Sequence, residues 1–516
     1  MLAALAVLAG AALLLLRAAL VHTGGRLVYA LDDAYIHMAV ARSLARHGVW
    51  GVTPYAFTSS TSSLAWPLLL ALSDLVVGVR EATPLVLNLV FAVVAILLAD
   101  RLLRGAPLGL RAVALIALVF FTPLPTLVLS GMEHTLQIAA VFWLLDRVRA
   151  AEADGAGTRR TLVSLGAAAA LAAAARYESL FLIAPAAVLL WLDRRRRAAL
   201  VAVVAAIVPL AVYGAVSVAH GWPPLPNSLL LKRATFAGSG AAGIFDRLGG
   251  HALRSLAEAP HLLVLLAAVL VLSASRPASV AVRRWDAIFV TGTLLHLQFA
   301  ALGWLFRYEA YLVAIGMVLV ARHLADARAE GPAFGTAARA ALAVAALVAA
   351  APLVTRGVQA AVQTPRAVKN IYEQQYQMGL FLRGLPAGST VMANDIGAIS
   401  YLADVRLIDL YGLATQETAR ARRENRVDRA LLARLAASAP PAAVVVYRSW
   451  FASAIPPDWI QVGSWRVPEE VVVADRTVTF YATRPADAAL LARGLAAFQT
   501  RLPETVVARL AAVAAP

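Results

Sequence analysis

Two adjacent aspartates, Asp32 and Asp33, follow the first apolar segment of the chain in the run LDDAYIHMAVARSLARHGVW. A carboxylate pair at a membrane surface is costly unless it is hydrated, paired or bound to a metal. One carboxylate can act there as general base on a hydroxyl, while the other orients it, raises its pKa by repulsion or helps to hold a divalent cation. An acidic first helical turn, capped by Asp32, explains the same pair without chemistry.

Polar residues continue beyond this pair. His37 and Arg42 fall on the same predicted helix, whose spacing brings His37 near the acidic face. Both are candidate substrate-binding residues, and we expect His37 to form hydrogen bonds sooner than to bind a metal. The next stretch, TPYAFTSSTSSLAWP, holds seven serine or threonine hydroxyls that are able to bind sugar or phosphate, although ordinary turns use the same residues.

Three short motifs further along combine charge with apolar flanks. They are Glu133 and His134 in SGMEHTL, Arg176, Tyr177 and Glu178 in AARYESL, and Arg307, Tyr308 and Glu309 in LFRYEAY. Charges at membrane depth are usually paired, so a structural arginine–glutamate pair explains each Arg-Tyr-Glu motif, and a helix start explains the first motif. The functional alternative is phosphate binding, because the guanidinium fork matches phosphate oxygens.

One of the two lysines of the chain, Lys232, lies in the run PLPNSLLLKRATF together with Asn227 and Arg233. A cation at a membrane interface often only extends its charged end into water. The functional interpretation is a phosphate clamp for a lipid carrier.

The composition places these residues in a membrane protein. The chain has 516 residues, of which 61% are hydrophobic and 15% charged, and the apolar residues form blocks of membrane-spanning length. A net charge of +16 would suggest nucleic acid in a soluble protein, but the arginines fall between apolar segments and indicate topology. We therefore predict no nucleic-acid partner. The absence of cysteine excludes disulfides and cysteine metal ligands.

Arginine clusters predict how the chain crosses the membrane. The apolar candidates lie near residues 2–21, 64–79, 83–103, 111–129, 135–148, 161–175, 179–192, 198–218, 260–274, 286–303, 308–324 and 335–355. Because positive residues stay in the cytoplasm, the clusters place the N-terminus inside and residues 22–82 outside. Segment 64–79 is then predicted as a surface or re-entrant helix, which leaves about eleven spans; the alternative lets it cross or inverts the N-terminus.

A second domain is predicted at residues 361–516, after a transmembrane domain at residues 1–360. Runs such as STVMA, RLIDL and AAVVVY alternate with helical patterns, which predicts a soluble α/β domain on the outer side. NDIGAISYL, with Asp395, lacks a Gly-x-Gly-x-x-Gly pattern and is predicted as a strand-to-helix turn; LIDLYGL, with Asp409, is interpreted in the same way. The domain either binds an acceptor or serves as a structural lid.

In this order the motifs resemble the GT-C superfamily of integral-membrane glycosyltransferases, particularly the bacterial branch with terminal arabinofuranosyltransferases of the mycobacterial envelope. The resemblance runs from the aspartate pair through SGMEHTL, AARYES, PLPNSLLLK and FRYEAY to NDIGAISYLADVRLIDLYGL. It implies an all-α membrane bundle with an extracytoplasmic α/β domain. Relatives often have Arg-Pro-Glu at the first Arg-Tyr-Glu motif, and four residues separate Pro-Asn from Lys232 here, so both positions depart from the pattern.

The activity implied by the resemblance is an inverting transfer of a sugar from a polyprenyl-phosphate donor to an envelope glycan or lipid acceptor. Asp32 or Asp33 would be the base, and Lys232 and the arginines of both Arg-Tyr-Glu motifs would face the donor phosphate. A divalent cation, Mg²⁺ or Mn²⁺, is a candidate cofactor with the two aspartates as candidate ligands. The enzyme would span the plasma membrane many times, with its active site outside.

Two other functions fit parts of the sequence. A transporter or flippase of lipid-linked sugars would place ionisable residues at mid-membrane, whereas here the charges cluster at one face. A non-catalytic envelope assembly protein with the same fold is the second alternative, because a fold alone does not fix a function.

Overall fold

The computed structural model describes residues 1–153, 157–234, 249–275, 280–329 and 348–511. Helices dominate up to residue 382, where runs of alanine, leucine and valine continue over many residues. In chain order they are α1 (Leu2–His22), α2 (Asp32–His47), α3 (Ala65–Val77), α4 (Thr83–Leu102), α5 (Leu108–Phe121), α6 (Leu124–Ser130), α7 (His134–Ala153), α8 (Arg159–Ala175), α9 (Leu180–Leu192), α10 (Arg196–Ala219), α11 (Asn227–Ala234), α12 (His251–Glu258), α13 (Pro260–Ser275), α14 (Val280–Phe299), α15 (Ala310–Ala329), α16 (Ala351–Ile371) and α17 (Gln377–Leu382).

Several helices indicate a multi-pass membrane protein. Among the described residues, the segments long and apolar enough to cross a bilayer are Leu2–His22, Thr83–Leu102, Leu108–Ser130, Arg196–Ala219 and Ala310–Arg328. Helices α12 and α13 add a sixth if this pair, bent by 100°, forms one span. The count of eleven stays a prediction, and most of the candidate segment 335–355 lies outside the described residues.

Helix α3 matches the segment that the sequence assigns to the membrane surface. It has 13 residues, which corresponds to a length of about 20 Å. The hydrocarbon core of a bilayer is about 30 Å thick, so α3 alone is too short to cross it. Its position at the surface stays a prediction.

The predicted cytoplasmic arginine clusters meet at one end of the bundle. Asp146 accepts bonds from Arg101, Arg147 and Arg149, which come from two clusters. Arg284 pairs with Glu152 and Asp193, and Arg322 donates to the carbonyl oxygen of Leu102. Residues that alternate along the chain thus share one end, as the topology prediction requires; which side of the membrane this end faces stays a prediction.

A six-stranded mixed sheet follows the helices, which confirms that the chain ends in a sheet domain; the place of this domain outside the membrane stays a prediction. Its strands are β1 (Ser389–Ala393), β2 (Val405–Asp409), β3 (Ala443–Tyr447), β4 (Ile460–Arg466), β5 (Thr477–Ala482) and β6 (Val507–Leu510), in the order β2-β1-β3-β5-β4-β6. Strands β1, β2 and β3 are parallel, and the other pairings are antiparallel. Helices α18 (Gly397–Leu402), α19 (Gln416–Arg423), α20 (Arg429–Ser438), α21 (Arg448–Phe451) and α22 (Pro485–Gln499) connect the strands.

Strand β3 shows why this sheet has two apolar faces. Val445 and Tyr447 pack in one hydrophobic cluster, and Val444 and Val446 pack in another. Successive side chains of a strand point to opposite faces, so a continuous apolar run is buried on both.

The helical part and the sheet domain share a continuous helix. Helix α16 runs into a π-helical turn at Tyr372–Tyr376 and then into α17. This stretch passes through the predicted boundary at residue 360. Single π-helical turns within α-helices often occur at functional sites.

Candidate functional site

A cavity of about 330 Å³ lies between the helical part and the sheet domain. Polar residues of its helical wall are Asp32, Asp33, His37, Ser60, Ser62, Ser228 and Tyr308. The sheet-domain wall supplies Gln375, Asn394, Asp395, Tyr411 and Trp450. Three carboxylates therefore line the cavity, and none of its lining residues in the described ranges is a lysine or arginine.

Asp32 ties the first outer helix to the sheet domain. Its Oδ2 accepts the N–H of Gly397 and its Oδ1 the N–H of Ala398, each at 2.8 Å. Gly397 has no room for a side chain, since a Cβ there would lie 2.0 Å from the carbonyl oxygen of Asp32. Burial and repulsion from Asp395 raise the pKa of Asp32 to about 8, although the two N–H groups oppose this rise.

Asp33 has a different environment. Its Oδ2 lies 2.5 Å from Nη2 of Arg307, and its side chain is 43% exposed, whereas that of Arg307 is only 1% exposed. The Nε and Nη1 atoms of Arg307 have no hydrogen-bond partner among the described residues. Asp33 is thus the aspartate of the pair that presents an ion-paired carboxylate to the cavity.

The ring of Tyr308 contacts two buried guanidinium groups. The Cζ atom of Arg307 is 4.8 Å from the ring centroid of Tyr308, and that of Arg176 is 5.6 Å from it. Arg307 also donates to Oη of Tyr308 at 3.0 Å. Cations over an aromatic face are attracted by the ring quadrupole. The two Arg-Tyr-Glu motifs therefore converge on one ring.

Arg176 is enclosed by carboxylates. Its Nε and Nη2 donate to the two oxygens of Glu178 at 3.0 and 2.5 Å, and its Nη1 donates to Glu133 at 2.7 Å. The charge-assisted fork with Glu178 is the geometry that arginine favours. Arg176 and Glu133 stand behind the cavity wall rather than in it.

His37 joins the cavity to this buried charge cluster. Its Nε2 lies 3.3 Å from Oγ of Ser62 and 3.5 Å from Oε2 of Glu133. Burial lowers the pKa of His37, which favours the neutral ring. Burial by itself would raise the pKa of Glu133, but His37 and Arg176 outweigh it and lower the pKa. His134 is buried nearby, with its ring centroid 6.3 Å from that of Tyr308.

Glu309 turns away from the cavity. Its Oε2 accepts the N–H of Gly303 at 2.8 Å, and its Oε1 accepts a bond from Arg356 and lies 3.4 Å from Nε2 of His261. These residues border a second cavity of about 630 Å³. Glu309 follows Arg307 and Tyr308 directly in the sequence, but its hydrogen-bond partners are different residues from theirs.

Two other predicted substrate-binding residues join elements together. Arg42 donates to the carbonyl oxygens of Tyr401 and Ser400 at 2.6 and 2.9 Å, at the end of α18. Asn227 donates to the carbonyl oxygen of Gly412 at 3.0 Å. Helix α2 is therefore held to α18 at both ends of α18, by Asp32 and by Arg42.

Lys232 belongs to α11, and its side chain lies outside what the structure describes. The same helix contributes Ser228 to the cavity wall. The phosphate clamp at Lys232 therefore stays a prediction.

The residues of the sheet-domain wall were not among the predicted site residues. Oδ2 of Asp395 accepts bonds from Gln375 at 2.7 Å and from Tyr447 at 2.5 Å. The predicted strand-to-helix turn is present, between β1 and α18, and it also delivers Asp395 to the cavity. The signal in the sequence was an Asn-Asp pair directly after an apolar strand, because sites of parallel sheets form at the carboxyl ends of strands.

The two aspartates of the pair already have partners in the protein. Both oxygens of Asp32 accept backbone N–H groups, and Asp33 pairs with Arg307. No group of three or more histidine, aspartate or glutamate side chains in the described residues is arranged to hold a metal ion. A divalent cation at Asp32 and Asp33 stays a prediction from the sequence.

One family model matches part of the chain. It is described as a domain of unknown function, DUF8728, and it covers residues 369–481. The matched region contains the whole polar wall that the sheet domain contributes. No curated protein matches the sequence.

Solved structures with a similar fold include proteins of two kinds. One is ArnT from Cupriavidus metallidurans bound to undecaprenyl phosphate, with 13% identity over 93% of this chain and 98% of ArnT, and a TM-score of 0.53. The oligosaccharyltransferase of Archaeoglobus fulgidus in the apo form is 13% identical over 98% of this chain and 76% of its own, with a TM-score of 0.53. The same archaeal enzyme, AglB, with an inhibitory peptide and a dolichol-phosphate has 12% identity, coverage of 98% and 75%, and a TM-score of 0.50.

Proposed function

We propose that this chain is a GT-C glycosyltransferase that moves a sugar from a polyprenyl-phosphate donor to a glycan or lipid of the cell envelope. The observation that carries the proposal is the Asp33–Arg307 pair, whose aspartate lines a cavity between the helical part and the sheet domain. The shared fold supports it, since ArnT was solved with undecaprenyl phosphate and AglB with a dolichol-phosphate. The resemblance of the motifs to terminal arabinofuranosyltransferases favours arabinofuranose as the sugar, with another pentose or a hexose as the alternative.

Asp33 is the general base in this proposal, and Asp32 positions the sheet domain. A base must reach the acceptor hydroxyl, and the 43% exposed side chain of Asp33 meets that requirement. Asp32 uses both oxygens to bind backbone N–H groups of α18. This division of roles assigns different chemistry to two adjacent carboxylates.

In the transfer one proton moves, one bond forms and one bond breaks. Asp33 takes the proton of the acceptor hydroxyl as its oxygen attacks the anomeric carbon. The bond from that carbon to the phosphate oxygen breaks, and its electron pair leaves with the polyprenyl phosphate, so the configuration inverts. No covalent intermediate with the protein forms.

Arg307 couples these two events. While Asp33 is ionised, its charge balances that of the guanidinium. Once Asp33 is protonated, the positive charge of Arg307 loses this partner at the moment when negative charge grows on the departing phosphate. Preorganised positive charge of this kind stabilises a transition state because it needs no reorganisation.

The test uses the purified chain in nanodiscs with short-chain polyprenyl-phosphate pentoses and hexoses and a panel of oligosaccharide acceptors. Released polyprenyl phosphate and lengthened acceptor are measured by mass spectrometry. We expect Asp33→Asn to lower kcat by about 1,000-fold, and Asp32→Asn to lower it by about tenfold through weaker domain contact. The control is Asp458→Asn, which changes an exposed acid of the sheet domain and should behave as wild type.

Two outcomes would overturn the proposal. Full activity of Asp33→Asn would remove the base assignment. Movement of intact donor across liposome membranes, with no donor cleaved under any acceptor, would instead support a flippase.

A further inference from the structure

The sheet-domain wall of the cavity stands at the carboxyl ends of three parallel strands. Asp395 follows β1, Tyr411 follows β2 and Trp450 follows β3. In open sheets with parallel strands, ligands bind in the crevice outside these ends. The wall therefore occupies the position at which such a sheet presents binding side chains.

The aromatic part of this wall is held in place by its neighbours. The ring of Trp450 lies 5.5 Å from that of Tyr411 and 5.3 Å from that of Tyr447, yet its side chain is 40% exposed. The carboxylate of Asp409 accepts the N–H of Tyr411 and the N–H of Ala414 at 2.7 Å, which fixes the loop after β2. Aromatic side chains that are already ordered lose little conformational entropy when a ligand binds to them.

The polar part of the wall has an unmet acceptor. Gln375 is only 2% exposed and donates to Asp395, and its Oε1 has no hydrogen-bond partner among the described residues. A buried polar atom without a partner is costly, so a hydrogen-bond donor from a ligand accounts for it. Gln375 belongs to the π-helical turn and lines the cavity.

We propose that this wall is the acceptor subsite and that the acceptor is a non-acidic sugar ring. Trp450 and Tyr411 pack against its apolar face, and Asp395 and Gln375 accept hydrogen bonds from its hydroxyls. The inference rests on the proposed function, because a lipid-linked donor enters from the membrane side and leaves the sheet-domain wall to the acceptor.

The charge of the cavity sets the class of sugar. Asp32, Asp33 and Asp395 line it, and Arg307, which is bonded to Asp33 from behind the wall, is already paired. An acidic sugar would add a negative charge beside Asp395, for which the described lining residues offer no lysine or arginine partner, and like charges at an interface repel. A ring with hydroxyl donors and an apolar face matches both parts of the wall.

The test measures binding apart from turnover. The full chain carrying Asp33→Asn, in nanodiscs, is titrated calorimetrically with neutral arabino- and manno-oligosaccharides, with the same oligosaccharides oxidised to uronates, and with a peptide of similar length. We expect a neutral glycan to bind at least about tenfold more tightly than its uronate form. Adding Trp450→Ala should raise Kd by about tenfold, Asp395→Asn by about fivefold, and Asp458→Asn should leave it unchanged.

Trp450→Phe controls for folding, because it keeps an aromatic face and should retain most of the binding. Equal binding of uronates, preference for the peptide, no glycan binding at all, or a Kd insensitive to both Trp450→Ala and Asp395→Asn would each overturn the inference. Trp450-dependent glycan binding by a wild-type chain that cleaves no donor would keep the subsite and overturn the transferase. Loss of transfer in Asp33→Asn with no effect of Trp450→Ala on KM would support the transferase and overturn the acceptor subsite.

Discussion

The two Arg-Tyr-Glu motifs have the same three residues and different partners. Arg176 is paired with the glutamate of its own motif, Glu178, through two bonds. Arg307 bonds instead to Asp33, and the glutamate of its motif is bonded to Arg356. In the first motif the arginine is paired with the glutamate of the same motif, whereas in the second it is paired with Asp33, a residue that lines the cavity.

The backbone accounts for this difference. Arg176 is extended, with φ −157° and ψ 135°, and a short 3-10 turn follows it. The second motif follows four residues with left-handed backbone, from Gly303 (φ 70°) through Trp304 (φ 43°) and Leu305 (φ 58°) to Phe306 (φ 60°). This conformation costs about 1–2 kcal/mol for each residue other than glycine.

Such a turn persists only when its surroundings hold it. Glu309 accepts the N–H of Gly303, and Arg356 donates to the carbonyl oxygen of Phe306 at 2.5 Å. Strained backbone of this kind often occurs at functional sites. The first motif therefore has a structural role, in which the paired Arg176 packs against Tyr308. In the second motif the contacts to the left-handed turn hold Arg307 where it pairs with Asp33.

The largest contrast is expected between the two arginines. Arg307→Gln should lower kcat by about 1,000-fold, because Asp33 and the departing phosphate both lose a positive partner. Its apparent Tm should change little, since Asp33 remains solvated. Arg176→Gln should instead lower Tm and yield, because Glu178 and Glu133 are left as buried negative charges. Steady-state transfer and thermal unfolding in nanodiscs measure both, and a fall in Tm shared equally by the two variants would refute the contrast.

The two glutamates should show the opposite order of stability effects. Glu309→Gln leaves the buried Arg356 without a carboxylate partner and weakens one of the two contacts that hold the left-handed turn, which should cost about 3 kcal/mol. Glu178→Gln leaves Arg176 with Glu133 as partner and should cost about half as much. The apparent Tm of both variants tests this, and hydrogen exchange at residues 303–309 should accelerate only in Glu309→Gln.

Much of this arrangement could be predicted from residue types, and the partner choices could not. Apolar periodicity and arginine clusters indicated the helical membrane part, and strand patterns indicated the sheet domain. The distinct roles of Asp32 and Asp33 depend on Gly397, which lies 365 residues beyond Asp32. The direction of Arg307 depends on a backbone turn that Arg356 holds, and no local pattern encodes that contact.

A smaller contrast is expected between the two tyrosines. Tyr308→Phe removes a hydroxyl that accepts from Arg307, so the guanidinium loses one restraint and kcat should fall by about tenfold. Oη of Tyr177 is buried without a hydrogen-bond partner in the described part of the chain, so Tyr177→Phe should leave activity and Tm unchanged. The same transfer assay compares them, and equal losses in both would mean that the hydroxyl of Tyr308 has no special role.

The smallest expected effect is a pH dependence of the contact between Asp32 and α18, which lies on the side of the second motif. Burial and Asp395 raise the pKa of Asp32 to about 8, so the docked state holds a proton more tightly than the unfolded chain does. The stability that this proton contributes is complete at acidic pH and is lost as the pH rises to about 8. The lowered pKa of Glu133, beside the first motif, has the opposite effect on stability, and its contribution is already complete above the ordinary pKa of a glutamate.

After correction for intrinsic exchange rates, raising the pH from about 6 to about 9 should accelerate hydrogen exchange several-fold at residues 397–402 and leave residues 133–137 unchanged. Asp395→Asn should shift this transition to lower pH, because it removes the charge that raises the pKa of Asp32; an unshifted transition would mean that another group controls the contact.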